Sequence, residues 1–341
     1  MFANRGGLLA FAALSLSAGL ARAGEVEDFY RARTAAIVVG HEAGTGFDLY
    51  SRVLARHFGK SIPGKPNVTV QNMPGASALT AANWLFNIAP RDGSVLGNVV
   101  NTAIFEPLMG DAAARFDPLR FEWIGNMAEA LPICWVSNDA GIARFDELLA
   151  REVQFGGAAV AGTLSQMSNA VKKLTGARIK LTPGYRSSNE IKLAIQRGEV
   201  AGICGLPLAT ARSEWGDLLE SGRLKPLIQL ARANDPGLAG VPSIYDYAAT
   251  DADRRVFDLI FGAQGLSHVY FTPPGVPTPR LAALRQAFLD TLADPAFLAD
   301  AQSQRLDISP SSGEEVARLV AQAYEASPSE IERAKWAVRG D

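Results

Sequence analysis

Four short segments, each leading from a predicted strand to a predicted helix, combine Gly, Ala, Ser or Thr with the start of a helical pattern. They are residues 44–48, 74–78, 162–165 and 185–189. The first N–H groups of a helix have no intrahelical partner, and the helix dipole places positive potential beside them. Such ends bind carboxylate or phosphate groups without help from Lys or Arg. The four segments together predict an anion site, although each alone also fits an ordinary turn in which glycine only meets the backbone geometry.

The first of these segments does not match the known nucleotide-binding loops. Gly44 and Gly46 are not followed by the third glycine of a dinucleotide fingerprint, and the Lys-Ser/Thr pair of a P-loop is absent from the sequence here. Asp48 fits the N-cap of the following helix. The alternative is that Asp48 lines a cleft and faces an ammonium or hydroxyl group of a ligand.

Residues suited to catalysis are few. The chain has three histidines, no Gly-x-Ser-x-Gly elbow and no spacing typical of metal ligands. We expect His41 at the carboxyl end of the first strand, which is the crevice side of an open α/β sheet. It either contacts a ligand or edges the turn, and no Ser or Cys nucleophile accompanies it. We therefore expect no enzymatic activity, cofactor or metal.

The N-terminus has the layout of an export signal. Arg5 precedes an uncharged apolar run over residues 8–20, and Ala21-Arg22-Ala23 offers a small-x-small cleavage site. The run is too short to span a bilayer, which needs about 20 apolar residues. We therefore expect residues 1–23 to be a cleaved signal peptide and the mature protein to be exported, with no direct membrane insertion.

The overall charge is mildly acidic. The 33 Lys and Arg against 35 Asp and Glu give a net charge of −2, and removal of Arg5 and Arg22 makes it −4. No basic cluster offsets this balance, which argues against nucleic acid and anionic membranes as partners. An anionic ligand must then be held by local geometry.

The two cysteines, Cys134 and Cys204, lie in apolar, strand-like contexts. Export permits a disulfide between them, which would close a loop of about 70 residues worth roughly 4 kcal/mol. Cysteine is also commonly buried unpaired. We favour buried free thiols here.

Short apolar runs alternate with helical periodicity along the mature chain, as in an α/β fold with mostly parallel strands. The first strand is predicted at residues 34–39, and the first helix carries Val53, Leu54 and Phe58 on one stripe. A strand near residues 227–230 is predicted to return to the first set of elements. This order predicts two domains, 24–125 plus 227–341 and 126–226, with a cleft that closes by hinge motion.

Several motifs occur in an order that resembles a known family. Residues 43–52 read AGTGFDLYSR, residues 72–78 read NMPGASA, and Pro-Arg-Asp-Gly follows at 90–93. Pro-Gly-Tyr-Arg at 183–186, Arg-Gly-Glu-Val at 197–200, Val-Pro at 241–242 and Pro-Pro-Gly-Val-Pro at 273–277 come later. The set is similar to that of the periplasmic substrate-binding receptors of tripartite tricarboxylate transporters, also called Bug receptors. Their loops read approximately A-G-G-x-x-D-x-x-A-R, N-x-P-G-A-x-G and P-Y-x-G.

The chain departs from this pattern at three places. Ala78 replaces the last glycine of the second loop, and Arg186-Ser187-Ser188 displaces the glycine that follows the tyrosine of the fourth. His41 stands where a small residue or proline is more usual.

The resemblance implies a two-domain periplasmic-binding-protein fold of the type II, Venus-flytrap kind. It also implies a monomeric receptor that binds a small organic carboxylate and delivers it to membrane transporter subunits. The ligand-binding residues expected on this basis are Gly44, Thr45, Gly46, Phe47, Asp48, Gly75, Ala76, Ser77, Gly162, Thr163, Ser165, Tyr185, Arg186, Ser187 and Ser188, with His41 at the cleft edge. Two alternatives stay open: an exported hydrolase or lyase that uses His41 and Asp48, and a ligand sensor for a two-component system.

Overall fold

A computed structural model describes residues 24–159, 162–232 and 235–340. The predicted signal peptide lies outside the described residues. Contacts within the chain divide it into two compact units. Unit 1 consists of residues up to 127 together with 268–318, and unit 2 consists of residues 128–267 together with those from 319 onward.

The strands of the two units are short. They are β1 (Thr34–Val39), β2 (Asn67–Asn72), β3 (Val95–Asn98), β4 (Glu122–Asn126), β5 (Pro132–Ser137), β6 (Val153–Gly156), β7 (Ile179–Thr182), β8 (Gly202–Pro207), β9 (Leu224–Gln229), β10 (Val269–Thr272) and β11 (Ser311–Ser312).

The helices alternate with these strands. They are α1 (residues 24–31), α2 (Gly46–Ser61), α3 (Leu79–Asn87), α4 (Asn101–Met109), α5 (Glu147–Ala150), α6 (Thr163–Thr175), α7 (Ser188–Gln196), α8 (Leu208–Glu214), α9 (Gly216–Glu220), α10 (Asp251–Ile260), α11 (Thr278–Ala293), α12 (Pro295–Ser303), α13 (Gly313–Tyr324) and α14 (Pro328–Val338). In the described part of the chain, no helix has both the length and the apolar character needed to cross a membrane.

Unit 1 is built on a six-stranded sheet in the order β11-β4-β10-β3-β1-β2. β1 is parallel to β2 and β3, whereas β10 and β11 are antiparallel to their neighbours. β1 matches its predicted bounds because its run of small and β-branched residues suits a buried parallel strand. α2 covers this sheet with the predicted stripe of Val53, Leu54 and Phe58, all fully buried.

Unit 2 is built on a five-stranded sheet in the order β7-β6-β8-β5-β9. β6 is parallel to β7 and β8, and β5 is antiparallel to both β8 and β9. Its core contains Trp135 and Trp215, both fully buried, and the Trp135 indole N–H donates to the carbonyl of Leu206. The α/β class predicted from the sequence is confirmed.

The strand predicted at 227–230 does not return to the first set of elements. As part of β9 it pairs with β5, and the chain re-enters unit 1 later, through β10. At the C-terminus, α14 packs on α6, where Lys173 donates to the carbonyls of Trp336 and Arg339. The predicted domains, 24–125 plus 227–341 and 126–226, therefore differ from the two units at the second crossing and at the chain end.

Cys134 and Cys204 form a disulfide, whereas sequence reasoning favoured free thiols. Both residues are fully buried, as expected. Cys134 lies on β5 at a register shift in its antiparallel pairing with β8, and this local irregularity brings its side chain to that of Cys204. Tertiary pairing of the strands, which sequence spacing does not reveal, decides the outcome.

Candidate functional site

The first loop leads from β1 into α2. Thr45, not Asp48, is the N-cap, and its hydroxyl oxygen accepts from the Asp48 N–H at 3.5 Å. The amides of Gly46 and Phe47 lie in the first turn and have no acceptor among the described residues. α2 is 16 residues long, so its dipole adds positive potential at these two free donors.

Asp48 holds this loop in place. Its side chain is buried, and its carboxylate accepts from the Gly44 N–H at 2.8 Å, from Arg52 Nε at 2.8 Å and from Asn72 Nδ2 at 2.9 Å. Burial by itself would raise the pKa of Asp48, but the hydrogen bonds from Arg52, Gly44 and Asn72 together outweigh it and lower that pKa to about 2. The carboxylate is therefore ionised and already paired, and its visible role is to order the loop.

Asn72 joins the first loop to the second. Its Nδ2 also donates to the His41 carbonyl at 3.0 Å, and its Oδ1 accepts from Arg52 Nη2 at 3.1 Å. Neither Asn72 nor Arg52 was among the predicted site residues. Patterns in the sequence could have identified both residues. Arg52 follows Asp48 at the i,i+4 spacing that pairs charges on a helix, and Asn72 begins the second loop motif.

The second loop contains a run of left-handed backbone. Gly75 has φ +128°, and Ala76, Ser77 and Ala78 have φ +47°, +51° and +71°. Each left-handed residue that is not glycine costs roughly 1–2 kcal/mol. Such strain persists where the surroundings enforce it and is concentrated at functional sites. Ala78 stands where the resembling family has glycine, and this conformation accounts for that preference.

The first two loops lie side by side. β1 and β2 are parallel neighbours in register from residue 34 opposite 67 to residue 39 opposite 72, so both strands end at the same edge of the sheet. A Cβ on Gly40 would approach the Cβ of Ala78 to 2.6 Å, which explains the need for glycine at this position. The structure thus brings together residues 44–48 and 75–77 of the predicted site within unit 1.

Aromatic rings form a cluster beneath the first loop. His41 stacks on Phe47 with ring centres 4.1 Å apart, His268 lies 5.0 Å from Phe47, and Tyr50 stacks on His268 at 3.7 Å. Burial lowers the pKa of His41; burial and the nearby His41 together lower the pKa of His268 to about 3. Both rings are therefore neutral near pH 7 and behave as part of an apolar wall.

This cluster gives His41 a structural position that its sequence context did not reveal. Its ring supports Phe47 from one side, and His41 Nε2 and His268 Nδ1 find no hydrogen-bond partner in the described chain. His268 was not predicted as a site residue. It directly precedes β10, more than 200 residues after the first loop, and no local pattern points to it.

The third loop leads from β6 into α6 in unit 2. Gly162 is the N-cap and has no side chain to cover the first-turn amides, which include that of Thr163. Ser165 is fully buried, and its hydroxyl donates to the Ala158 carbonyl at 3.0 Å. The Ser165 side chain therefore orders the loop, whereas the helix N-terminus itself offers the donors.

The fourth loop leads from β7 into α7. Ser187 is the N-cap and accepts from the Glu190 N–H at 3.3 Å, and the Glu190 carboxylate accepts in turn from the Arg186 N–H at 2.6 Å. The exposed guanidinium of Arg186 also contacts Glu190, with Nη2 2.8 Å from Oε1. Ser188 is the first helical residue, and the half-buried ring of Tyr185 packs on the core of unit 2. Arg186 is thus paired within its own loop.

The third and fourth loops are neighbours, as the first and second are. β6 and β7 are parallel, and the Gly184 N–H donates to the Ala158 carbonyl at 2.9 Å. Each unit therefore presents two adjacent strand-end loops, each pair with first-turn amides that lack protein acceptors in the described chain. This arrangement can bind an anion through backbone donors. Among the described residues, no group of three or more His, Cys, Asp or Glu side chains could hold a metal ion.

Known structures share this fold, although no family model and no curated protein matches the chain. A TctC solute binding protein from Polaromonas is 18% identical, covering 89% of this chain and 99% of its own, with a TM-score of 0.69. The periplasmic binding protein BugD is 18% identical over 91% and 99% of the two chains, with a TM-score of 0.56. A Rhodopseudomonas palustris protein with bound adipate is 20% identical over 90% and 97%, with a TM-score of 0.56. The periplasmic-binding-protein fold and the structural resemblance to Bug proteins are confirmed.

Proposed function

We propose that this protein is an exported solute receptor that binds a small organic carboxylate and performs no chemistry. The observation that carries the proposal is the strained left-handed run at Gly75–Ala78 beside the open N-terminus of α2. Strain held next to unbonded amides is expected where backbone must approach a ligand closely. The adipate in a neighbour of the same fold supports a carboxylate as the ligand class.

In this proposal the strand-end loops supply ligand contacts. Backbone amides near Gly46, Gly75 and Ser77 bind carboxylate oxygens, and Asp48 keeps the first loop in the required conformation. Phe47, supported by His41 and His268, covers apolar parts of the ligand. The remaining proposed contacts are Gly44, Thr45, Ala76, Gly162, Thr163, Ser165, Tyr185, Arg186, Ser187 and Ser188.

The strength of such a site is adequate for a receptor. About five charge-assisted hydrogen bonds contribute roughly 1.5–3 kcal/mol each. A micromolar complex needs about 8 kcal/mol. The surplus offsets the loss of motional freedom and the desolvation that binding requires. The proposed partners of the loaded receptor are membrane transporter subunits, and the proposed location is the periplasm.

The hydrolase alternative has little support from the first loop. General acid–base catalysis needs a group whose pKa lies near the working pH. Asp48 has a pKa of about 2 and is paired with three donors. His41 is stacked on Phe47, with its Nε2 buried and without a partner in the described chain.

Thermal unfolding in the presence of mono-, di- and tricarboxylates, adipate included, tests the proposal. A ligand at 100 times its Kd stabilises the folded state by about 2.7 kcal/mol, which for a chain of this length corresponds to roughly 4 °C. If no carboxylate raises the Tm and the purified protein hydrolyses an ester or amide in a His41-dependent way, the receptor function is wrong.

A pair of glycine variants separates binding from stability. Gly75→Val places a side chain in the second loop, where φ is +128° and a Cβ would lie 2.8 Å from Thr80 Oγ1. Gly110→Val is the matched control, because Gly110 also has positive φ, +81°, but ends α4 in open space. Both variants should lose about 1–3 kcal/mol of stability, and only Gly75→Val should lose the ligand-induced Tm shift. Equal ligand shifts in both would remove the second loop from the site.

A further inference from the structure

A groove runs along the open edge of the sheet in unit 2. β7 is the edge strand, and among the described residues it pairs only with β6. The groove has a volume of about 590 Å³ and lies beside β7 and the C-terminal half of α6. We call it the β7 groove; its lining includes Asn169, Lys172, residues 178–181 and Gly340.

The backbone of β7 offers unpaired groups to this groove. On the inner side, the Val153 N–H donates to the Arg178 carbonyl at 3.0 Å and the Gly157 N–H donates to the Thr182 carbonyl at 2.9 Å. Alternate residues of a strand turn their backbone groups to opposite sides, so Leu181 directs its N–H and C=O outward. Such an edge is a template for a further strand.

Donor groups predominate around the β7 groove. Arg178 and Lys180 line it, and among its described lining residues the one carboxylate is that of Glu152, in a chain whose net charge is −2. Asn169 is 3% exposed, and its Nδ2 has no acceptor in the described chain. A buried donor without an acceptor is costly, and a bound oxygen would remove that cost.

We propose that the β7 groove binds an extended acidic segment of a partner protein, which adds to the sheet as a sixth strand. Leu181 offers both a donor and an acceptor on the outward side, which favours a polypeptide over a small anion, because a carboxylate can pair only with the donor. Pairing of two β7 edges from two copies of this chain would bring like charges together at Lys180. Pro183 ends the pairing edge, so the added strand spans about four residues, or roughly 13 Å.

This inference does not depend on the carboxylate ligand and is tested separately. The probe is a fluorescein-labelled octapeptide of alternating Asp and Val, added to the full mature chain and followed by fluorescence anisotropy at low salt. Lys180→Glu reverses one charge of the groove and should weaken binding about fivefold. Leu181→Pro removes the outward N–H without touching the ladder to β6 and should weaken binding at least as much.

The matched control is Lys225→Glu on β9, the opposite edge of the same sheet. It makes the same charge change on the same fold and should leave peptide affinity unchanged. Circular dichroism verifies that each variant is folded, and Lys180→Glu keeps the test decisive if Leu181→Pro fails to fold.

Several results would overturn the proposal. One is the absence of peptide binding, and another is equal binding of a Lys-Val octapeptide. Displacement of the acidic peptide by free succinate at comparable concentration would indicate a small-anion site instead. Concentration-dependent dimerisation that Lys180→Glu abolishes would indicate a second copy of the chain as the occupant.

Discussion

Replacement of Asp48 by Asn removes one negative charge from the first loop and changes its volume very little. Oδ2 of Asp48 accepts from both the Gly44 N–H and Arg52 Nε, and Oδ1 accepts from Asn72. An Asn amide nitrogen must face one of these donors in either orientation. The variant therefore loses a buried ion pair and leaves at least one donor unpaired.

The magnitude follows from the pKa of the carboxylate. Asp48 titrates at about 2 in the folded protein against 3.8 as its ordinary value. Each pKa unit corresponds to 1.36 kcal/mol, so the charged form contributes about 2 kcal/mol at pH 7. A carboxyl group whose pKa is lowered by folding contributes its full stabilisation above its unfolded pKa of 3.8. This contribution is lost as the pH falls through the folded pKa of about 2. The difference between wild type and Asp48→Asn should therefore shrink to about 1 kcal/mol at pH 3.

Urea unfolding at pH 7 and pH 3, followed by far-UV circular dichroism and tryptophan fluorescence, measures this difference. Asp28→Asn is the control, because Asp28 also pairs with an arginine, Arg31, but is 71% exposed and should change stability by less than about 0.5 kcal/mol. Asp48→Asn should also weaken carboxylate binding, since the first loop loses its internal support. An effect below about 0.5 kcal/mol at pH 7, or one that does not decrease at pH 3, would refute the role assigned to Asp48.

Three further predictions concern other parts of the chain. Replacing Cys134 and Cys204 together by Ser should cost about 4 kcal/mol, seen as a lower Tm that dithiothreitol no longer changes; an unaltered Tm would mean that the bond contributes nothing. His268 titrates near 3 instead of 6.5, so the wild type should lose stability as pH falls from 6.5 towards 3. His268→Phe should flatten this decline between pH 7 and 4.5, and parallel curves would contradict the assignment. Glu190→Gln releases Arg186 and should tighten dicarboxylate but not monocarboxylate binding in calorimetry, whereas Arg186→Ala should do the reverse for dicarboxylates; unchanged affinities would remove Arg186 from the site.

Local patterns were sufficient for much of the fold. β1 runs from Thr34 to Val39 as predicted, because small and β-branched residues in an uninterrupted run are suited to a buried strand. α2 buries its predicted apolar stripe, and its amphipathic period is set by residues three and four apart. The positions of loops at strand ends follow from the same local signals. Whether those loops bind a carboxylate stays a proposal.

Local sequence patterns could not predict contacts between segments that are distant in the chain. From the sequence, Asp48 fitted either the N-cap of its own helix or a cleft wall. Thr45 is the N-cap in the structure, and Asp48 accepts from Asn72, which lies 24 residues away and belongs to the next strand. The sequence left open whether His41 contacts a ligand or edges the turn. The structure shows its ring stacked on Phe47, whose other neighbour is His268 from a distant part of the chain.

The sequence by itself determined the α/β class and the strand-to-helix loops, because these depend on residues within a few positions of one another. Only the tertiary structure decided that β9 pairs with β5, that Cys134 bonds to Cys204 at a register shift, and that the chain re-enters unit 1 at β10. Strand pairing is chosen by the burial that a whole sheet achieves, and many partners satisfy the same local pattern. For the same reason, the side chains that order the first loop could be identified only once the strand pairing was known.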